Sequence, residues 1–99
     1  MSQLETLLDY RGTGQTPSSA TVTTASTEIL SAGARRWAVI TNLGTDGVFI
    51  AVGQTAILNA GMYLAPGGVM NFTGDAGTKQ AVNGITRSGS SLVIYQEGT

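Results

Sequence analysis

A chain of 99 residues with no cysteine and no histidine cannot form a disulfide, a zinc site of Cys and His ligands, or a catalytic dyad that needs either side chain. Charged residues make up 11% of the sequence and the formal net charge is −1, so no basic surface for nucleic acid is expected. The length fits one domain with a modest core, and partner subunits are the expected source of additional stability.

The first 19 residues differ from the rest and form a predicted N-terminal arm. Leu4, Leu7 and Leu8 have the spacing of one face of a short helix, and Tyr10 follows before glycines and a proline end the pattern. A helix this short is marginally stable in water unless it lies on another surface. Two interpretations stay open: a frayed terminus, or an arm whose leucines and tyrosine bind a neighbouring subunit. The segment also lacks the basic region and long apolar core of a signal peptide.

Residues 20 to 99 form the predicted domain, in which short β-branched and aromatic runs alternate with Gly, Pro, Asn and Asp turn residues. This spacing is typical of all-β proteins. Strands are predicted at residues 21–24, 28–30, 36–42, 48–52, 54–58, 62–64, 69–73, 80–86 and 91–97. These nine short ranges, taken as about eight strands, predict an all-β fold, either a small β-sandwich or a jelly-roll-like barrel.

Turn residues set the connections between these strands. Residues 43–47 are predicted to form a hairpin turn, so that the strands at 36–42 and 48–52 pair with each other. The Pro-Gly-Gly sequence at 66–68 predicts a tight turn, because proline presets φ and glycine accepts positive φ. At Asn83-Gly84 a hairpin turn competes with a β-bulge at Gly84, and we favour the bulge because a turn would leave very short strands.

The strand predicted at 36–42 carries apolar side chains on both faces, with Trp37 and Val39 on one and Ala38 and Ile40 on the other. It is therefore predicted to be a central strand with Trp37 in the core. The alternative is that Trp37 stacks on a sugar or anchors an interface.

No charged residue occurs between Gly47 and Gly74. A membrane span is excluded, because polar residues, glycines and a proline interrupt the stretch and no run of about 20 apolar residues exists. We therefore expect strands that face protein on both sides, and a protein that assembles with others and has no membrane partner.

No residue pattern points to catalysis, a cofactor or a bound metal. Carboxylates are expected in the arm, at turns or near strand ends, where solvated charges normally lie, and they do not form a predicted acid–base pair. The six are Glu5, Asp9, Glu28, Asp46, Asp75 and Glu97. The Gly-rich segments lack the following helix and the Lys-Ser/Thr pair of a phosphate loop. The protein is therefore predicted not to be an enzyme.

Arg35 and Arg36 form the one charge cluster in the sequence. They could bind a carboxylate or an acidic patch on a partner, or stand as solvated charges at the entrance to a strand. We treat both arginines as candidate partner-binding residues, together with the leucines and the tyrosine of the arm.

Residues 21 to 97 resemble small β-rich virion proteins of tailed bacteriophages. The resemblance rests on an ordered set of short motifs and covers about four-fifths of the chain. The motifs are a threonine-rich strand (21–24), a small-residue turn with two arginines (31–36), a strand ending in Ile-Thr-Asn-Leu-Gly-Thr-Asp (40–46), a return strand ending in glycine (48–53), a Gly-x-x-Leu-x-Pro-Gly-Gly element (61–68) and a Ser/Gly turn (88–91).

The resemblance implies a non-enzymatic structural protein on the capsid surface of the virion, usually trimeric. Its partners would be further copies of itself and the major capsid protein, to which it would bind as a decoration or cement subunit. The alternative that the resemblance implies is a tail-fibre or receptor-binding module that contacts a glycan on the host surface. No catalytic or cofactor-binding residue is implied, and the arm matches no motif of these proteins.

Overall fold

The computed structural model describes residues 14–73 and 79–99, and all regular structure within these ranges is β-strand. The predicted all-β class is therefore confirmed. The eight strands are β1 (Ser18–Val22), β2 (Thr27–Leu30), β3 (Trp37–Asn42), β4 (Val48–Val52), β5 (Met62–Leu64), β6 (Val69–Thr73), β7 (Val82–Thr86) and β8 (Ser91–Gly98).

These strands form two four-stranded antiparallel sheets. The first sheet has the order β1-β8-β3-β6 and the second sheet has the order β2-β7-β4-β5. Except between β4 and β5, each connection to the next strand crosses from one sheet to the other. Eight antiparallel strands wound in this order make a jelly roll, so the jelly-roll form of the prediction is the observed one.

The core lies between the two sheets and is filled by the inward side chains of both. Along β3, Ala38, Ile40 and Asn42 are buried, whereas the residues between them are more exposed, as strand alternation requires. β3 lies between β8 and β6, which confirms that it is a central strand. The buried cluster consists of Val22, Ile29, Leu30, Ala38, Ile40, Val48, Ile50, Leu64, Val82 and Val93.

The predicted hairpin between residues 36–42 and 48–52 is wrong. β3 pairs with β6 and β8, whereas β4 pairs with β5 and β7 in the other sheet. The side chain of Asn42 holds the connecting segment, because its Nδ2 donates to the backbone oxygens of Asp46 at 2.8 Å and Leu64 at 3.1 Å. The turn therefore carries the chain from the first sheet to the second instead of folding it back on itself.

The strand predicted at 54–58 is also wrong, since these residues belong to a loop between β4 and β5. Asn59 and Gly61 have φ values of 62° and 82°, in the left-handed region that interrupts a strand. The backbone N–H of Ala56 donates to Ser26 Oγ at 2.9 Å instead of to a neighbouring strand. A side-chain hydroxyl thus takes the place of a ladder hydrogen bond.

The Asn83-Gly84 sequence lies inside β7, so the prediction that it is not a turn is confirmed. The predicted bulge at Gly84 is wrong, because the irregularity lies opposite, in β2, where pairing steps from Glu28 to Leu30. A Cβ atom on Gly84 would lie 2.8 Å from Val48 Cγ1. Glycine is therefore required here by close packing against side chains of the neighbouring strands on the inner side of the second sheet.

The tight turn predicted at 66–68 is confirmed. The N–H of Gly68 donates to the carbonyl of Ala65 at 2.8 Å, and Gly67 has a φ of 78°. Proline followed by glycine with positive φ is the arrangement of a type II turn.

Part of the predicted arm belongs to the first sheet. β1 begins at Ser18, and Gly14 already forms a β-bridge with Gly98 at the end of β8. The remaining predicted features of the arm, at Leu4, Leu7, Leu8 and Tyr10, lie outside the described residues.

Candidate functional site

The outward side of the first sheet is a surface without charge. Strand register places eleven side chains on it, and none of them is acidic or basic. We call this surface the uncharged face; its residues are Ser19, Thr21, Trp37, Val39, Thr41, Val69, Asn71, Thr73, Leu92, Ile94 and Gln96. Its apolar members Val39, Ile94, Leu92 and Val69 are 36%, 38%, 44% and 58% exposed.

Trp37 lies at one end of the uncharged face and is half-buried there. The prediction that Trp37 belongs to the core is wrong. The inward positions of β3 are those of Ala38, Ile40 and Asn42, and Trp37 lies on the opposite side of the strand. The chain before β1 passes beside it: a Cβ on Gly14 would lie 3.5 Å from the Trp37 ring, and Gln96 Nε2 donates to the Gln15 carbonyl at 2.9 Å. The segment before β1 thus lies against one edge of the Trp37 ring.

The second sheet, in contrast, has its outward side partly covered by the β4–β5 loop. Asn83 Nδ2 donates to the Gln54 carbonyl at 2.6 Å, and Arg87 Nη2 donates to Asn59 Oδ1 at 2.6 Å. The residues between Gly47 and Gly74 are predicted from the sequence to face protein on both sides. Within a single chain this does not hold at β5 and β6, where the side chains of Met62, Tyr63 and Val69 are exposed.

A cleft of about 600 Å³ opens where the second sheet meets this loop. The rings of Phe49 and Tyr63, which pair across β4 and β5, lie with centroids 5.1 Å apart at 48°. The Arg87 guanidinium lies 5.7 Å from the Phe49 centroid, within the range of a cation–π contact. We call this the aromatic cleft; it is lined by Thr45, Asp46, Gly47, Phe49, Asn59, Tyr63, Pro66, Arg87 and Ser88.

Asn42 supports the wall of the aromatic cleft from the core side. Besides donating to two backbone oxygens, its Oδ1 accepts from the Gly44 N–H at 3.0 Å and from Ser91 Oγ at 2.5 Å. The side chain is fully buried, and these contacts fix the segment that carries Asp46 and the residues beside it. Sequence reasoning missed this role, although an Asn two residues before a Gly in a turn is a pattern for such side-chain to backbone bonding.

The two arginines predicted to bind a partner lie in different environments. Arg35 is 3% exposed, and its guanidinium donates to the Glu97 carboxylate, to the Ser31 carbonyl and, at 2.9 Å, to the Gln80 carbonyl. Arg36 is exposed. The guanidinium of Arg35 therefore joins three segments of its own chain. Both arginines stay predicted partner-binding residues.

The described carboxylates have different partners. Asp46 lines the aromatic cleft, Glu97 pairs with Arg35, and Glu28 accepts from Ser31 Oγ at 2.8 Å. Within residues 14–73 and 79–99 no cluster of three acidic, histidine or cysteine side chains could hold a metal ion. In the same part of the chain, no helix has the length and apolarity needed to cross a membrane.

Comparison with known proteins agrees with the jelly-roll topology. The chain is similar to a structure described as the solution NMR structure of a de novo designed double-stranded beta-helix, with 14% sequence identity and a TM-score of 0.55. The similarity covers 86% of this chain and 100% of that one, and at this identity it shows the fold alone. No protein-family model and no curated protein matches the sequence.

Proposed function

We propose that this protein is a non-enzymatic structural subunit of a tailed-phage virion, bound to the major capsid protein on the head as a decoration or cement protein. The observation that carries the proposal is the uncharged face. The motif resemblance of residues 21–97 supplies the class of particle, and the jelly roll is a fold that capsid proteins use.

The uncharged face has the composition of a surface that another protein covers. Charged residues are depleted in the buried centres of interfaces. The outward side of an antiparallel sheet in contact with water is normally polar, whereas this one exposes four apolar side chains. Its four exposed apolar side chains are already partly buried by the protein itself. Burying the rest of each side chain under a partner would contribute about 1 kcal/mol per side chain before ordering costs. A partner that covers the whole face therefore gains several kcal/mol without a single ion pair.

A homotrimer is the oligomer that we propose for the attached protein. The chain has no disulfide to stabilise a domain of this size, and subunit contacts are a common substitute. Light scattering of the purified protein measures the mass directly. A stable monomer in solution that also occupies single positions on the particle would contradict the trimer.

Attachment is tested by placing a charge on the uncharged face. Ile94→Glu puts a carboxylate at its centre, and Thr55→Glu adds the same charge to an exposed loop position on the other sheet. Each variant is mixed with heads assembled from the major capsid protein without this chain, and co-sedimentation is measured. We expect Ile94→Glu to lose binding and Thr55→Glu to bind like the original chain. Equal binding by both variants would refute the role of the uncharged face.

The position on the virion separates the proposal from its main competitor. Labelled protein distributed in many copies over the head supports decoration of the capsid. A few copies confined to the tail would refute it, and would favour the tail-fibre or receptor-binding module that the resemblance also implies.

A further inference from the structure

We infer that the aromatic cleft is a binding site for an uncharged saccharide. The cleft lies on the second sheet and the uncharged face on the first, so this inference does not depend on capsid attachment. Its volume falls within the range of about 300–1,000 Å³ typical of small-molecule sites, and its open side lets a longer glycan chain continue into solvent.

The aromatic wall of the cleft is held in place by its neighbours. Tyr63 is 57% exposed, yet its ring lies against the backbone of Gly47, where an added Cβ would be 2.1 Å from Tyr63 Oη. The Phe49 ring supports Tyr63 from within the sheet, and Arg87 lies over Phe49. A glycine at position 47 is therefore what leaves room for the tyrosine ring, and the ring presents apolar surface together with a hydroxyl.

The polar groups around this ring match hydroxyl groups. The Asp46 carboxylate accepts hydrogen bonds, the Arg87 guanidinium donates them, and the Asn59 amide does both. Asp46 and Arg87 line the same cleft but form no ion pair with each other in the described structure. A sugar ring matches this arrangement. Its apolar face can stack on the Tyr63 ring, and the hydroxyls at its edge can form hydrogen bonds with Asp46, Arg87 and Asn59.

The charges of the lining favour a neutral ligand over an anion. One acid and one base line the cleft, so their formal charges cancel. Arg87 also donates to Asn59, and Asp46 would repel a phosphate or a uronic acid bound beside it. The polar lining in turn disfavours a purely apolar ligand, which would leave these groups without hydrogen-bond partners.

The test is a titration of the isolated full chain followed by amide chemical shifts. The probes are four neutral disaccharides (lactose, maltose, cellobiose and chitobiose), with inorganic phosphate and a glucuronic acid disaccharide as anionic probes. We expect at least one neutral disaccharide to shift the amides of residues 45–49, 59–65 and 87–88 at millimolar concentration. No shift with any neutral probe, shifts elsewhere on the protein, or tighter binding of either anion would overturn the inference.

Substitutions locate the binding within the cleft. Tyr63→Ala removes the exposed ring, and we expect the affinity for the bound disaccharide to fall at least about tenfold, which corresponds to about 1.4 kcal/mol. Gly47→Ala displaces the same ring and should weaken binding as well. Val69→Ala is the control, because Val69 is as exposed as Tyr63 but lies on the first sheet. Unchanged affinity in Tyr63→Ala, or an equal loss in Val69→Ala, would show that the site is not this cleft.

Discussion

Replacing Asn42 by alanine should destabilise the protein more than any other single hydrogen-bond deletion in the first sheet. The fully buried amide makes four hydrogen bonds, to the segment after β3, to β5 and to β8. At a net value of about 1 kcal/mol each, their loss sets the expected destabilisation at about 4 kcal/mol. A water molecule that enters the vacated space would recover part of this, so we expect about 3–4 kcal/mol.

Urea unfolding of both chains measures this difference, because small single domains usually unfold in one cooperative transition. In a thermal scan the same loss lowers Tm by about 4–8 °C per kcal/mol. Ser91→Ala is the matched control, since it removes one of the four bonds while keeping the amide, and should cost about 1 kcal/mol. A loss below about 1 kcal/mol in Asn42→Ala, or an equal loss in both variants, would refute the view that the amide is the centre of this network.

Three further perturbations test other parts of the fold. Arg35→Met should lower the free energy of unfolding in urea by about 3 kcal/mol, because it leaves the Glu97 carboxylate without its buried partner. The control Arg36→Met, at an exposed position, should stay within about 0.5 kcal/mol of the original chain. Equal effects of the two substitutions would argue against the buried pair. Gly84→Ala should cost about 1–3 kcal/mol by overpacking against Val48, whereas unchanged stability would mean that the core relaxes freely. Deletion of residues 1–12 should leave the circular dichroism of the β domain intact but weaken co-sedimentation with heads. If the shortened chain unfolds, the leucines of the arm belong to the core. If it binds heads like the full chain, the arm is a frayed end.

Local sequence patterns predicted most of the strands, because alternation and turn residues are local properties. They could not predict which strands pair. The run before Asn42 and the run after Gly47 look like the two arms of a hairpin, yet the buried Asn42 amide redirects the chain into the other sheet. Residues 54–58 have the apolar composition of a strand, but left-handed residues after them and a hydrogen bond to Ser26 hold them in a loop.

The same limit applies to side-chain orientation and to the aromatic cleft. Alternation separates Trp37 from Ala38 but does not say which of the two faces points inward, and the larger side chain proved to be outside. Phe49, Tyr63 and Arg87 come from β4, β5 and the β7–β8 connection, so no motif could have grouped them. A buried Arg35 could not be foreseen, because two of its partners, Gln80 and Glu97, are far away in sequence.

The bridge between Gly14 and Gly98 gives the molecule two poles. The chain enters and leaves the domain side by side at the pole of Trp37, whereas Asn42 and the aromatic cleft lie at the other end of β3. At about 3.3 Å per residue, the length of β3 separates the two poles by about 17 Å. A group attached at Gly14 or Gly98 would therefore start at the opposite end of β3 from the cleft.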